Sequence, residues 1–354
     1  NYNTVVGDEA GTAITTGDQN TAVGFEALKT ATTAGNNTAL GFKSLRLNTT
    51  GNANVAVGVV ALGANTTAVD NTAVGYNSLG ANTTGDRNTA LGKNSLASNV
   101  EGDRSVAVGY DALSNQDPAS NVDMYNTAAG YAAGAAVTTG VQNTLIGSLA
   151  GDAITTGSNN VALGRSSLGA NTTASNNTAV GYSSLVLNTT GTSNVAVGAN
   201  ALDANTTAHN NTAVGYDALT TNTTGASNTA LGQGALELNT TASNNTAVGK
   251  DALTANTTGA NNSALGYNAL LSNTTGANNT GIGMVSLDAN TTGAENTALG
   301  YAALSANTTA SNNTAIGRGA LQVNTTGDRN VAVGALTLDT NTTGVQNVGV
   351  GYGA

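Results

Sequence analysis

A unit of the form Asn-Thr-Ala-Val-Gly recurs every 17 residues along this chain. Its Asn stands at 3, 20, 37, 54, 71 and 88, Ser105 takes the place once, and the series resumes at Asn126 and steps by 17 to Asn347. A four-residue insertion between Ser105 and Asn126 is the one break in step. The 354 residues hold 20 complete units and a partial one, so residues 1–354 read as a single repeat array. A short fixed period specifies a stacked fold in which each unit touches its neighbours only. Because the first unit starts at Asn3 and the last stops inside itself, both ends read as cut from a longer protein or fibre.

Position 1 is the Asn, position 17 the residue before the next one. Gly at position 5 is present in all 21 copies, and Leu holds position 9 in 17 of the 20 complete units. Asn, Thr and Gly in every unit are poor helix formers. Positions 2–4 form a short β-prone run ended by Gly, positions 6–9 suggest a second, and positions 12–17 carry turn chemistry. The expected fold is all-β: a parallel β-solenoid, or β-roll, with one 17-residue coil per repeat and about 21 coils.

The run Val-Ala-Val-Gly at 55–58, 106–109, 195–198 and 331–334 sharpens this. Side chains alternate across a strand, so positions 2 and 4 share one face, and Ala at 3 with Gly at 5 the other. Both faces are apolar, the mark of a strand covered on both sides. This suggests that one face fills the coil and the small Ala/Gly face packs against another chain. A compensated exchange locates the interior. The units at 3, 126 and 143 replace Leu at position 9 by Gly11, Gly134 and Gly151, and gain Ile14, Val137 and Ile154 at position 12. Volume-conserving exchanges are the ones a packed core tolerates, so positions 9 and 12 are expected to share one interior.

Composition narrows the function. There is no Cys, one His (His209, in a turn) and 8% charged residues, with a net charge of -10. Disulfides and thiolate metal sites are excluded, and no cofactor, metal or catalytic constellation is indicated; the expectation is a protein that is not an enzyme. The acidic balance speaks against nucleic acid, and no apolar run reaches the length of a membrane span. The Asp-Arg pairs at 86–87, 103–104 and 328–329 read as solvated turn residues.

Three features of the repeat bear on function. Asn at position 1 reads as a ladder bonding its own kind along the stack. The Asn-Thr-Thr run at position 12 is an N-glycosylation sequon. The candidate acceptors are Asn48, Asn65, Asn82, Asn171, Asn188, Asn205, Asn222, Asn239, Asn256, Asn273, Asn290, Asn307, Asn324 and Asn341, with turn geometry the competing explanation. Tyr at position 6 in eight units, with Phe25 and Phe42, reads as an exposed row, a surface strand residue in preference to a sugar platform. Consecutive Thr at positions 13 and 14 lacks the Thr-x-Thr spacing of a flat ice-binding face, so an ice- or glycan-binding surface ranks low.

The motif Asn/Ser-Val-Ala-Val-Gly at 54–58, 105–109 and 194–198 resembles the head repeat of trimeric autotransporter adhesins. The fuller pattern, Asn-Thr-Ala-Val-Gly-Tyr-Asp-Ala-Leu at 211–219 followed by a Thr-Thr-Gly turn, also resembles repeats of phage tail-fibre-like proteins of the endosialidase-chaperone group. The resemblance implies a left-handed β-roll assembled as a homotrimer, located outside the cell, on its surface or on a virion. The expected role is a non-enzymatic structural shaft. Its partner is another copy of itself, and a cell-surface glycan or receptor would be met through other parts of the protein. An end-to-end extracellular filament, N-glycosylated or bare, is the alternative.

Overall fold

The computed structural model describes residues 2–354. The chain divides into two compact units, one ending at Asn177 and one spanning Thr178–Ala354. The first holds ten three-residue strands, from Thr4–Val6 to Val161–Leu163; the second holds eleven, from Thr178–Val180 to Val348–Val350. The described residues contain no helix. Within each unit a strand pairs in parallel with the same positions of the next coil, as Thr72 with Thr89, Ala73 with Ala90 and Val74 with Leu91. The pairing holds across the insertion, where Val106 meets Thr127. Each unit is thus a parallel β-solenoid with 17 residues per coil.

Only positions 2–4 are extended. The second strand expected over positions 6–9 is a run of turns instead. In the coil at 211, Asp217 and Leu219 have φ of 55° and 53°, values no strand accommodates. The amides still bond between coils, in alternating directions: Asp217 N–H donates back to Ala199 O at 3.2 Å, Leu219 N–H forward to Ala235 O at 3.0 Å. A leucine held left-handed costs about 1–2 kcal/mol. Burying its side chain contributes about 1.5–3 kcal/mol, and Leu219, like its counterparts at position 9 from Leu28 to Leu321, is fully buried. The interior therefore holds the backbone in a conformation leucine alone would not choose.

Gly at position 5 has a separate reason. Gly75 has φ of 138°, and a Cβ there would lie 2.5 Å from the carbonyl oxygen of Gly92 in the next coil. No side chain fits between rungs at that corner.

The strand faces are the reverse of the expectation. Ala at position 3 points inward and is buried in coil after coil, for example Ala73, Ala213 and Ala315. Positions 2 and 4 point out, and Leu231 and Leu265 are 46% and 49% exposed. The coil is narrow, and Leu at 9 with the amides of positions 1 and 12 fills most of it. Only a methyl fits at position 3. The small face is therefore the interior, and no Ala/Gly surface remains for another chain.

The compensated coils confirm that interior and extend it. Val137 and Ile154 are fully buried in the place of the position 12 Asn. Position 3 joins the exchange, since Leu145 replaces Ala there and is also buried. A Cβ on Gly151 would meet Leu145 at 2.7 Å and Ile154 at 2.8 Å, so the missing leucine has been replaced by its neighbours' methyls.

Candidate interaction faces and the interior ladders

Two amide ladders run inside each unit. At position 1, the side-chain oxygen accepts the backbone N–H of the next coil's Asn: Asn228 N–H to Asn211 Oδ1 at 2.9 Å, Asn245 N–H to Asn228 Oδ1 at 2.9 Å. Its amide nitrogen closes its own coil by donating to the position 15 carbonyl, as Asn211 Nδ2 does to Gly225 O at 2.8 Å. The expected Asn ladder is therefore present, and it also clasps the coil. At position 12 a second ladder runs: Asn222 Nδ2 donates to Asn205 Oδ1 at 3.1 Å and to Gly225 O at 2.9 Å. Buried amides without partners would each cost roughly 1–3 kcal/mol, and here nearly every one is satisfied.

This second ladder is made of the sequon asparagines. Asn48, Asn65, Asn82, Asn171, Asn188, Asn205, Asn222, Asn239, Asn256, Asn273, Asn290, Asn307 and Asn324 are fully buried, and Asn341 partly so. In Asn65, Asn239 and Asn256 the Nδ2 atom that would carry a glycan donates to two acceptors inside the coil. The folded coil offers no acceptor nitrogen, and Asn-Thr-Thr serves the turn and the ladder. Thr at position 13 extends the same logic outward, with Thr223 Oγ1 donating to Thr240 O at 3.1 Å.

Sequence reading missed one splice in these ladders. The insertion coil has Ser105 at position 1, too short to hand an amide oxygen onward. Gln116 at position 12, one methylene longer than Asn, fills the gap and is fully buried. Its Nε2 donates to Asn99 Oδ1 at 3.1 Å and Ser105 Oγ at 3.0 Å, and its Oε1 accepts from Asn126 Nδ2 at 3.0 Å. One side chain thus joins both ladders where the period breaks. The pairing of Ser at 1 with Gln at 12 was readable as a coincidence of exceptions in one unit. The loop beyond it is anchored by buried Met124 and by an ion pair from Arg104 to Asp123, whose other oxygen accepts from Tyr125 Oη at 3.0 Å.

Outside, position 16 forms a partial ladder. Asp86 Oδ1 accepts Val69 N–H at 2.7 Å, and Asp328 Oδ1 accepts Ser311 N–H at 2.6 Å. These aspartates support backbone; they do not pair with the adjacent arginines as expected, and Arg87 faces Asp70 instead at 3.9 Å. His209 belongs to the same row. Its Nδ1 accepts Thr192 N–H at 2.9 Å, which assigns the proton to Nε2. Half-buried Asp152, Asp203 and Asp288 at position 10 have carboxyls pushed above the ordinary carboxylate range, chiefly by desolvation. Asp288 Oδ1 is buried without a hydrogen-bond partner.

Two exposed faces remain. The outward sheet face presents position 2, mostly Thr or Val, and position 4, which is Val, Leu or Ile in 20 of 21 units. Beside it, past the Gly corner, stands the position 6 row. Its rings stack where coils are adjacent: Phe25 on Phe42 with centroids 5.5 Å apart, Tyr110 on Tyr131 at 5.6 Å. An open dent of about 270 Å³ lies where Gly63 and Gly80 leave room beside Lys43 and Arg46. Among the described residues no three His, Cys, Asp or Glu side chains gather to hold a metal, and no helix is long and apolar enough to cross a membrane. No family model and no curated protein matches the chain.

Proposed function

We propose that this protein is a non-enzymatic structural shaft of the adhesin or tail-fibre kind, working outside the cell, and that copies associate side by side as a homotrimer. The rigid β-solenoid of each unit supports a structural role, since its coils are tied to one another by strand pairing and, in most coils, by two amide ladders. The observation that carries the association is the outward stripe at position 4. Leu231, Leu265 and Leu299 illustrate it, each more than two-fifths exposed. Monomeric proteins rarely leave contiguous apolar surface of more than a few hundred Å² bare. Ten coils of this stripe with its flanking threonines reach roughly 800 Å², the share one partner gives to a standard interface. Identical spacing on each copy lets the stripes meet rung for rung.

Sedimentation equilibrium of the purified chain tests this. The expected mass is three times 34.4 kDa, falling to the monomer when Leu231, Leu265 and Leu299 are all changed to Lys. A monomer at tens of micromolar for the unaltered chain would overturn the lateral association.

A further inference from the structure

The dent beside Lys43 and Arg46 is basic in an acidic chain. Over positions 6–11 of the five coils that begin at 20, 37, 54, 71 and 88 there is one carboxylate, Glu26, and four cations, Lys29, Lys43, Arg46 and Lys93. The whole chain has the opposite balance, 20 acids to 10 cations. Glu26 is already answered, since its Oε1 accepts from Lys29 Nζ at 2.8 Å. Lys29 chiefly, then Lys43 and Arg46, hold its carboxyl below the ordinary range. Lys43 stays 3.7 Å from its other oxygen, too far for a hydrogen bond. Lys93 is engaged between the rings of Tyr76 and Tyr110. Arg46 takes part in no ion pair among the described residues.

The dent itself follows from position 10. That position holds Lys29 and Arg46 in the coils at 20 and 37, then Gly63 and Gly80 in the next two. The missing side chains open about 270 Å³ next to the cations, edged by Leu47 and Val60. Asn77 also lines it, and its Oδ1 takes the place that a Cβ on Gly80 would need. Its Nδ2 reaches Asn94 Oδ1 at 3.4 Å, long for such a bond, and has a second N–H to give. A guanidinium fork, an ammonium and an amide donor suit a carboxylate. The apolar edges and the glycine floor suit a compact ring behind it. Pockets for organic ligands start at about 300 Å³, so the space admits one such ring and not a longer chain.

We propose that Lys43, Arg46 and Asn77 bind the carboxylate of an acidic sugar unit, and that Gly63 and Gly80 make room for its ring. Saturation-transfer-difference NMR of the full chain with sodium glucuronate, at constant ionic strength, tests this. The signal should saturate, weaken at least tenfold in Arg46→Gln and recover in part in Arg46→Lys. Gly63→Val should abolish it by filling the dent. Valine already stands at position 10 as Val186 in the coil at 177, so the fold has a place for it. Binding that survives both Arg46→Gln and Gly63→Val would sink the proposal. An equal signal from methyl glucoside would remove the carboxylate from it, and displacement by acetate or sulfate as effective as by glucuronate would reduce the site to a bare anion contact; either result overturns the assignment.

Discussion

The coil at 211–227 and the coil at 105–125 solve one problem by different means. The first keeps 17 residues, Asn211 and Asn222, and each amide meets its own kind above or below. The second has 21 residues, Ser105 and Gln116, and a single longer amide does the work of two. Backbone length is negotiable between them and continuity of the buried amides is not. That ranking follows from magnitudes: four extra loop residues cost a few tenths of a kcal/mol in closure entropy, whereas a broken buried ladder leaves donors and acceptors costing roughly 1–3 kcal/mol each.

What the two coils share should be the most damaging to change. Gly215→Ala and Gly109→Ala each place a methyl against the backbone of the next coil at a φ that L residues avoid. Both should destabilise by about 3 kcal/mol or more, seen as loss of hydrogen-exchange protection in the adjoining strands. A mild effect in either coil would mean that the rungs separate easily there. Next in size is Gln116→Ala, expected to cost about 2–4 kcal/mol because Asn99, Ser105 and Asn126 all lose a partner. Asn222→Ala in the regular coil should cost less, because two of its three partners stay bonded: Gly225 O keeps Asn211 Nδ2, and Asn239 Nδ2 keeps Ala242 O. Equal losses in urea unfolding would refute the idea that Gln116 joins two ladders.

The splice can also be tested by restoring the regular pattern. Ser105→Asn alone crowds Gln116, and Gln116→Asn alone leaves a gap. The double change rebuilds both ladders, and a double-mutant cycle should show favourable coupling of about 1–3 kcal/mol. Additive effects would show that the two exceptions are unrelated. The smallest effect concerns pH. Burial raises the carboxyls of Asp152, Asp203 and Asp288 in the folded chain. The folded state therefore holds their protons more tightly than the unfolded state does. Their contribution favours folding at acid pH and is lost as pH rises from the ordinary carboxylate range through the raised values. Melting scans from pH 3 to 7 should show Asp288→Asn gaining stability over the unaltered chain toward neutrality, with the difference shrinking in acid. A constant difference at all pH values would remove the desolvation argument.

The coil length, the parallel stacking, the shared interior of positions 9 and 12 and the Asn ladder were all legible, because each leaves a trace at fixed spacing. The orientation of the strand was not. Alternation defines two faces, and when both are apolar it does not say which is inside; the width left by Leu and two amides decides that. Nor did Leu219 announce a left-handed backbone, since nothing about leucine favours it. Asn, Asp and Gly at position 7, as in Asn200, Asp217 and Gly234, were the available hint. That the sequon asparagines lie buried was not legible either, because a three-residue pattern carries no information about burial.

The position 12 amides all point the same way. Asn65 donates to Asn48, Asn82 to Asn65, and in the second unit Asn239 to Asn222 and Asn256 to Asn239. Such a column is a one-way street of dipoles. It accepts a new storey, or surrenders one, without rearranging any other, provided the storey is whole. Duplication or loss of entire turns is therefore the mutation to which this architecture is nearly blind, and its lineage should vary in the number of turns more freely than in their make-up.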